Sequence, residues 1–206
     1  MKKDRLDKQL EFILAIDKEK NIFRQTYVSD ASRMENDAEH AWHMAVMCMI
    51  LSEYAEHPID KLKTMTMLLI HDLVEIYAGD TYAYAGVDAE EIHQREYAAA
   101  EKLYGMLPEE QGIYFMNLWK EFEEGKSPEA QFARTMDRIQ PMMLNAATDG
   151  RAWKEHKVRL SQIMKRNEHT AEGSSVLWDY ALKHFVMPHV DSGEIIDDET
   201  HSTGLK

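Results

Sequence analysis

His40, the adjacent pair His71 and Asp72, and Asp137 offer imidazole nitrogen together with carboxylate oxygen, the donor mix that divalent transition metals accept. The pair lies in residues 65–80, MTMLLIHDLVEIYAGD, an apolar helical run interrupted by His71, Asp72 and Glu75 and closed by Gly79 and Asp80. Burying an imidazole and two carboxylates among Leu68, Leu69, Ile70, Leu73, Val74 and Ile76 is costly unless opposite charge pairs with them, and a bound cation would supply it. Taken singly, each group has an ordinary explanation. A lone histidine on an apolar helix face is usually a satisfied core residue, and Asp137 alone would pair with Arg134 or Arg138. No short Cys/His signature fixes the ligands, so only the combination carries weight. His43, His57, His93, His156, His169, His184, His189 and His201 keep the ordinary reading.

The elements that must position these groups follow from helical periods and caps. Leu6, Leu10, Ile13 and Leu14 predict an amphipathic first helix over residues 4–18, and residues 21–33, which lack periodicity, predict a loop. Asn36 with Glu39 three residues on has the form of a capping box. It starts a helix running to about residue 54, with Trp42, Ala45, Val46, Met49 and Ile50 as its apolar stripe and His40 near its N-terminal end. Pro58 and Asp60 separate it from a third helix that carries His71 and Asp72 and stops at Gly79. Neighbouring helical positions are about 100° apart, so this pair can converge only from one edge of its helix.

Residues 81–87, TYAYAGV, read as a loop beside the site, with Tyr77, Tyr82 and Tyr84 as candidates to stack on a base or simply to pack. Residues 88–106 and 109–123 predict two covering helices, the second with Phe115, Leu118, Trp119 and Phe122 on one face. Ser127-Pro128-Glu129 starts the helix that holds Asp137, with a kink expected at Pro141. Two more helices are expected over residues 153–165 and 174–187. With no repeat and no alternating strand pattern, the expectation is an all-α fold: one domain over residues 1–190 and a polar, mobile tail over 191–206.

The net charge of −13 over 206 residues argues against nucleic acid as a partner, while leaving room for a small anion at one locally positive site. Cys48 is the only cysteine and lies in an apolar run, so it reads as a buried inert thiol and no intramolecular disulfide can form. The N-terminal MKKDRLDKQLEF has no long uncharged apolar stretch, and no run approaches a membrane span. A cytoplasmic protein without membrane contact is expected.

His40 in AEHAWHMA, His71-Asp72 in LLIHDLVEIYAGD and Asp137 in ARTMDRIQPM resemble the H…HD…D pattern of the HD-domain metal-dependent phosphohydrolases. The phrases E-N-x-A-E-H and H-D-x-x-E-x-x-x-G-D are most similar to the 5'-deoxynucleotidase group among them. The resemblance spans residues 24–145. It implies an HD-domain helical bundle with additional C-terminal helices. It also implies one divalent cation (Mn, Co, Zn, Fe, Ni or Mg) held by His40, His71, Asp72 and Asp137. Glu75, one turn after His71 on the same face, and Asp80 would supply general acid and base, unassigned between them. In similar proteins an arginine before the first metal helix holds the phosphate; Arg24 in NIFRQTYV matches that position best and Arg33 in ASRMEN second. Gln25 stands where several members carry an aromatic directly after this arginine.

The implied activity is release of phosphate from (deoxy)nucleoside 5'-monophosphates. The alternatives are a phosphodiester or guanosine-polyphosphate hydrolase on the same metal site, or a non-catalytic nucleotide- or partner-binding domain. A homodimer is expected, because members of the family often pair.

Overall fold

The computed structural model describes residues 4–79 and 89–198. Among these, helices dominate. Helix α1 (Arg5–Ile16) runs into a 3-10 turn (Asp17–Asn21), then a two-stranded hairpin, β1 (Phe23–Tyr27) and β2 (Met34–Asn36). There follow α2 (Asp37–Leu51), α3 (Lys61–Ile70), a 3-10 segment (His71–Val74), α4 (Glu75–Ala78), α5 (Ala89–Tyr104), α6 (Glu109–Glu124) and α7 (Pro128–Ala147). Shorter helices complete the chain: α8 (Arg151–Glu155), α9 (Leu160–Arg166), α10 (Thr170–Gly173), α11 (Ser175–Ala181), a π-helical turn (Leu182–Val186) and α12 (Met187–Asp191). No helix among the described residues is long and apolar enough to cross a membrane.

Local chemistry sets the starts of the three helices that matter most. The Asn36 side chain accepts from Glu39 N while Glu39 accepts from Asn36 N, a complete capping box at α2. Asp60 accepts from the backbone of Leu62 and Lys63 at α3, and Ser127 accepts from Ala130 N at α7, with Pro128 in the first turn. These helices pack on one another around a core that includes Met44, Met67, Leu68, Leu103, Phe132 and Met136, all fully buried. Helix α7 continues through Pro141; the missing N–H would have bonded the carbonyl of Asp137 four residues back.

Three expectations from the sequence are corrected. Residues 21–33 are not a plain loop, since β1 pairs with β2 antiparallel. Only Phe23↔Asn36 and Tyr27↔Met34 align directly, with a bulge between them, and a bulge erases the alternation by which a strand is recognised. The apolar stripes of α1 and α2, the buried Ala45 apart, also do not face the core. Leu6, Leu10, Ile13, Leu14, Trp42, Met49 and Ile50 are exposed, while Phe12, Ala15, His40, Ala41, Met44, Met47 and Cys48 are buried. Helix α2 is apolar almost all round, so the buried Asp37 and His40, rather than its apolar pattern, mark the inward face. The first part of the polar C-terminal stretch is anchored: Ile195 is 1% exposed, Leu160 N bonds Ile196 O, and Asp198 accepts from Ser161.

Candidate metal centre

His40 follows the α2 cap by one turn and is fully buried. Its Nε2 lies 3.2 Å from Asp137 Oδ1 and 4.0 Å from Asp72 Oδ2. At the end of α3 the backbone tightens from α to 3-10 geometry at His71–Val74. The Tyr104 hydroxyl donates to the Ile70 carbonyl at that switch, 2.9 Å away. His71, stacked at a tilt on Phe122 with ring centres 4.7 Å apart, brings its Nε2 to 3.1 Å from Asp72 Oδ1 and 3.9 Å from Asp137 Oδ1. The ligand atoms of His40, His71 and Asp72 all lie within 4.8 Å of one another, and Asp137 sits against both histidines. Residues about a hundred positions apart in the chain thus converge on one point.

The donor set suits a divalent cation on three counts. Two imidazoles and two carboxylates are the N and O ligands such ions accept. His71 Nδ1 lies 3.0 Å from the Leu68 carbonyl, which can only accept, so Nδ1 carries the hydrogen and Nε2 presents its lone pair. That Nε2 is buried and makes no hydrogen bond.

Electrostatics agree. Burial and the Arg24 charge push His40 down to about 4, against the pull of Asp137, so its ring is neutral near pH 7. Burial also pushes His71 down, but Asp72 and Asp137 outweigh it and lift the ring to about 9. Asp72 and Asp137 resist burial and are held well below the usual carboxylate range, Asp72 chiefly by His71 and Asp137 by His40 and Arg138. A cluster that draws a proton onto a buried imidazole demands positive charge, and a cation meets that demand better.

Arg24 on β1 points into the same cluster: its Nη1 lies 2.8 Å from Asp72 Oδ2 and 3.3 Å from Asp37 Oδ1. The hairpin register explains this, because Phe23 pairs with Asn36, the residue before Asp37. Arg33, the second arginine candidate, makes a bidentate pair with Glu39 at 2.7 Å for both bonds and also donates to Met34 O, so its guanidinium is committed to the α2 cap. Glu75 opens α4 directly after the 3-10 segment, and its charge is among those that raise the Arg24 pKa. Tyr77 lies on α4 under the ammonium of Lys102, 3.6 Å from its ring centre. Asp80, Tyr82 and Tyr84 lie outside the described residues.

Four groups around this centre escape a reading of the sequence. Glu35 on β2 and Glu19 on the 3-10 turn after α1 are buried carboxyls lifted by burial to about 7. Asp37, fully buried, faces Arg24. Gln140, also fully buried, lies on α7 with its Oε1 2.9 Å from His40 Nδ1. Spacing held the signal for the last: Gln140 is three residues after Asp137, hence on the same helix face.

A model of the HD domain family matches residues 16–178 of the chain. Human 5'-deoxynucleotidase HDDC2 is 30% identical over 139 residues, covering 67% of this chain and 66% of the human protein. The Dictyostelium discoideum protein of the same name is 32% identical over 143 residues, covering 66% of this chain and 75% of its own length. The match to the human relative therefore spans just under two thirds of that protein's length. A crystal structure from Magnetospirillum magnetotacticum MS-1, described as a predicted metal-dependent phosphohydrolase, matches with a TM-score of 0.86 at 41% identity, over 93% of this chain and 95% of that one. The family match contains Arg24, His40, His71, Asp72, Glu75 and Asp137, the residues that the fold draws together from β1, α2, the end of α3, α4 and α7. The chain belongs to the HD domain family.

Proposed function

We propose that this protein is a metal-dependent phosphohydrolase that releases inorganic phosphate from (deoxy)nucleoside 5'-monophosphates. The contact between Arg24 and Asp72, 2.8 Å, carries this reading, because it sets a guanidinium beside the metal-ligand carboxylate. Recognition of a metal-held phosphate requires that adjacency. Arg24 Nε is buried without a hydrogen-bond partner, and a phosphate oxygen would satisfy it. The relatives named 5'-deoxynucleotidase support the nucleotide monophosphate as substrate class.

A divalent cation bound by His40, His71, Asp72 and Asp137 would supply Lewis acidity toward the phosphoryl group and acidify water. Arg24 orients the phosphate and offsets the negative charge that grows on it in the transition state. Asp37 and Asp72 both contact Arg24 Nη1, so the guanidinium meets the substrate already oriented. Glu75, one turn after His71, and Asp80 carry the proton transfers, one from the attacking water and one to the departing nucleoside oxygen.

Leu6, Leu10, Ile13 and Leu14 of α1 are exposed, as are Ile113 and Tyr114 of α6, the helix that α1 meets through the pairs Arg5 with Glu110 and Gln9 with Gln111. We infer that a second copy of the chain covers this face, giving a homodimer. A reducing, cytoplasmic setting suits the single buried thiol of Cys48.

The substrate class is tested with protein stripped of metal and then supplied with Mn, Co, Zn or Mg. Phosphate release is followed on deoxy- and ribonucleoside 5'-monophosphates, 3'-monophosphates, a cyclic nucleotide and a guanosine polyphosphate. Release confined to 5'-monophosphates is expected. Turnover of the cyclic or polyphosphate compounds alone would overturn the proposal.

A further inference from the structure

His40 can serve the metal centre only if its Nε2 keeps a lone pair, yet two acceptors flank its ring and compete for the single hydrogen of a neutral imidazole. Asp137 Oδ1 lies 3.2 Å from Nε2, and Gln140 Oε1 lies 2.9 Å from Nδ1. Of the two, the carboxylate is the stronger acceptor. Left to itself it would draw the hydrogen to Nε2 and turn the donor lone pair away from the centre.

The Gln140 amide is held against this outcome from behind. Its Nε2 donates to Glu35 Oε1 at 2.7 Å and approaches His43 Nδ1 at 3.1 Å. An amide nitrogen cannot accept, so a carboxylate on that side fixes which way the amide points: nitrogen toward Glu35, oxygen toward His40. Every member is buried or nearly so: His40 and Gln140 at 0% exposure, Glu35 at 3%. The chain comes from three elements, β2, α2 and α7, and α7 also carries Asp137. Glu35 Oε2 lies 3.7 Å from His40 Nδ1, too far for a hydrogen bond, so the amide alone makes the connection.

We propose that Gln140, clamped by Glu35, is a positioning residue that holds His40 in its Nδ1–H tautomer and so commits its Nε2 to the metal. The inference rests on the reading of His40 as a ligand. Glu35 and Gln140 act through His40, the first by way of the second. Partners of this kind behind a ligating histidine are worth about 10- to 100-fold in metal affinity.

The test uses two variants of the full chain. Gln140→Met fills the same space and replaces the amide oxygen with a thioether sulfur, a far weaker acceptor. The double variant Glu35→Gln with Gln140→Glu exchanges amide and carboxylate, leaving one donor between two oxygens and an acceptor facing His40. Ring-nitrogen chemical shifts of His40 are read by NMR on the metal-free proteins, and Zn and Mn affinity by competition with a chromophoric chelator. The expected result is an Nδ1–H ring in wild type and in the exchanged variant. Gln140→Met should show an Nε2–H ring and metal binding weakened about 10- to 100-fold.

An Nε2–H ring in wild type would overturn the proposal. So would a Gln140→Met protein with wild-type ring shifts and affinity within about twofold. If Gln140→Met does not fold, the exchanged variant decides: an Nδ1–H ring with retained affinity supports the clamp, and an Nε2–H ring with lost affinity refutes it. Wild type with an Nδ1–H ring but no metal affinity would refute the metal-site reading instead, which separates the two failures.

Discussion

Arg24 Nη1 stands 2.8 Å from Asp72 Oδ2, so the residue that would grip phosphate is ion-paired with a residue that would grip metal. Arg24→Ala should lower kcat/KM on 5'-monophosphates by about 10²- to 10³-fold. Metal affinity should be unchanged or higher, because a positive charge beside a ligand is removed. Arg33→Ala, which releases Glu39 at the α2 cap, should leave kcat/KM within about threefold. Steady-state kinetics with calorimetric metal titration checks both. Loss of phosphate affinity in Arg33→Ala and not in Arg24→Ala would move the clamp.

Asp137 and Glu75 should separate by phenotype. Asp137→Ala removes a carboxylate lying against both histidines, and metal and activity should disappear together. Glu75→Gln should keep the metal and lose about 10²- to 10⁴-fold in kcat. Metal content by mass spectrometry beside kcat gives the answer, and equal metal loss in both variants would end this division of roles.

Glu19 gives the pH dependence a sign. Burial first, then the charges of Asp72 and Asp37, lift its folded-state carboxyl from 4.5 to about 7. The folded protein therefore holds that proton more tightly than the unfolded chain. The associated stability is fully present below pH 4.5 and is lost as pH rises through 7. In chelator-treated protein, Glu19→Gln should raise stability at pH 8 by about 1–3 kcal/mol and change it little near pH 4.5. Urea unfolding at both pH values measures this; an equal gain at both would contradict it.

The outward stripe of α1 predicts a change of mass. Leu10→Glu with Leu14→Glu places charge in the exposed α1 face and should give a particle of half the wild-type mass by light scattering, with metal content unchanged. A wild-type monomer, or a double variant that remains dimeric, would remove this face as the interface.

Much of the site was legible because its signals are local. The Asn36–Glu39 capping box, the Asp60 cap and the Ser127-Pro128 start are written within four residues each, and they orient the three helices that deliver His40, His71 with Asp72, and Asp137. What escaped depends on long-range packing. The β1–β2 hairpin hid behind its bulge. The inward face of α2 could not be chosen by hydrophobicity, since Trp42, Met49 and Ile50 look no less core-forming than Met44 and Met47. Glu35 and Gln140 acquire a role only where β2 and α7 meet behind His40, which no local pattern records.

One measurement bears most directly on the metal centre. Wild type and His71→Ala are stripped with chelator, titrated with Mn or Co, and followed for bound metal and for phosphate released from a deoxynucleoside 5'-monophosphate. Wild type should be inactive when stripped and regain full activity as one equivalent binds, whereas His71→Ala should neither bind tightly nor turn over. Full activity of the stripped wild type, or of His71→Ala, would contradict the assignment of His40, His71, Asp72 and Asp137 as the metal-binding core of a phosphohydrolase.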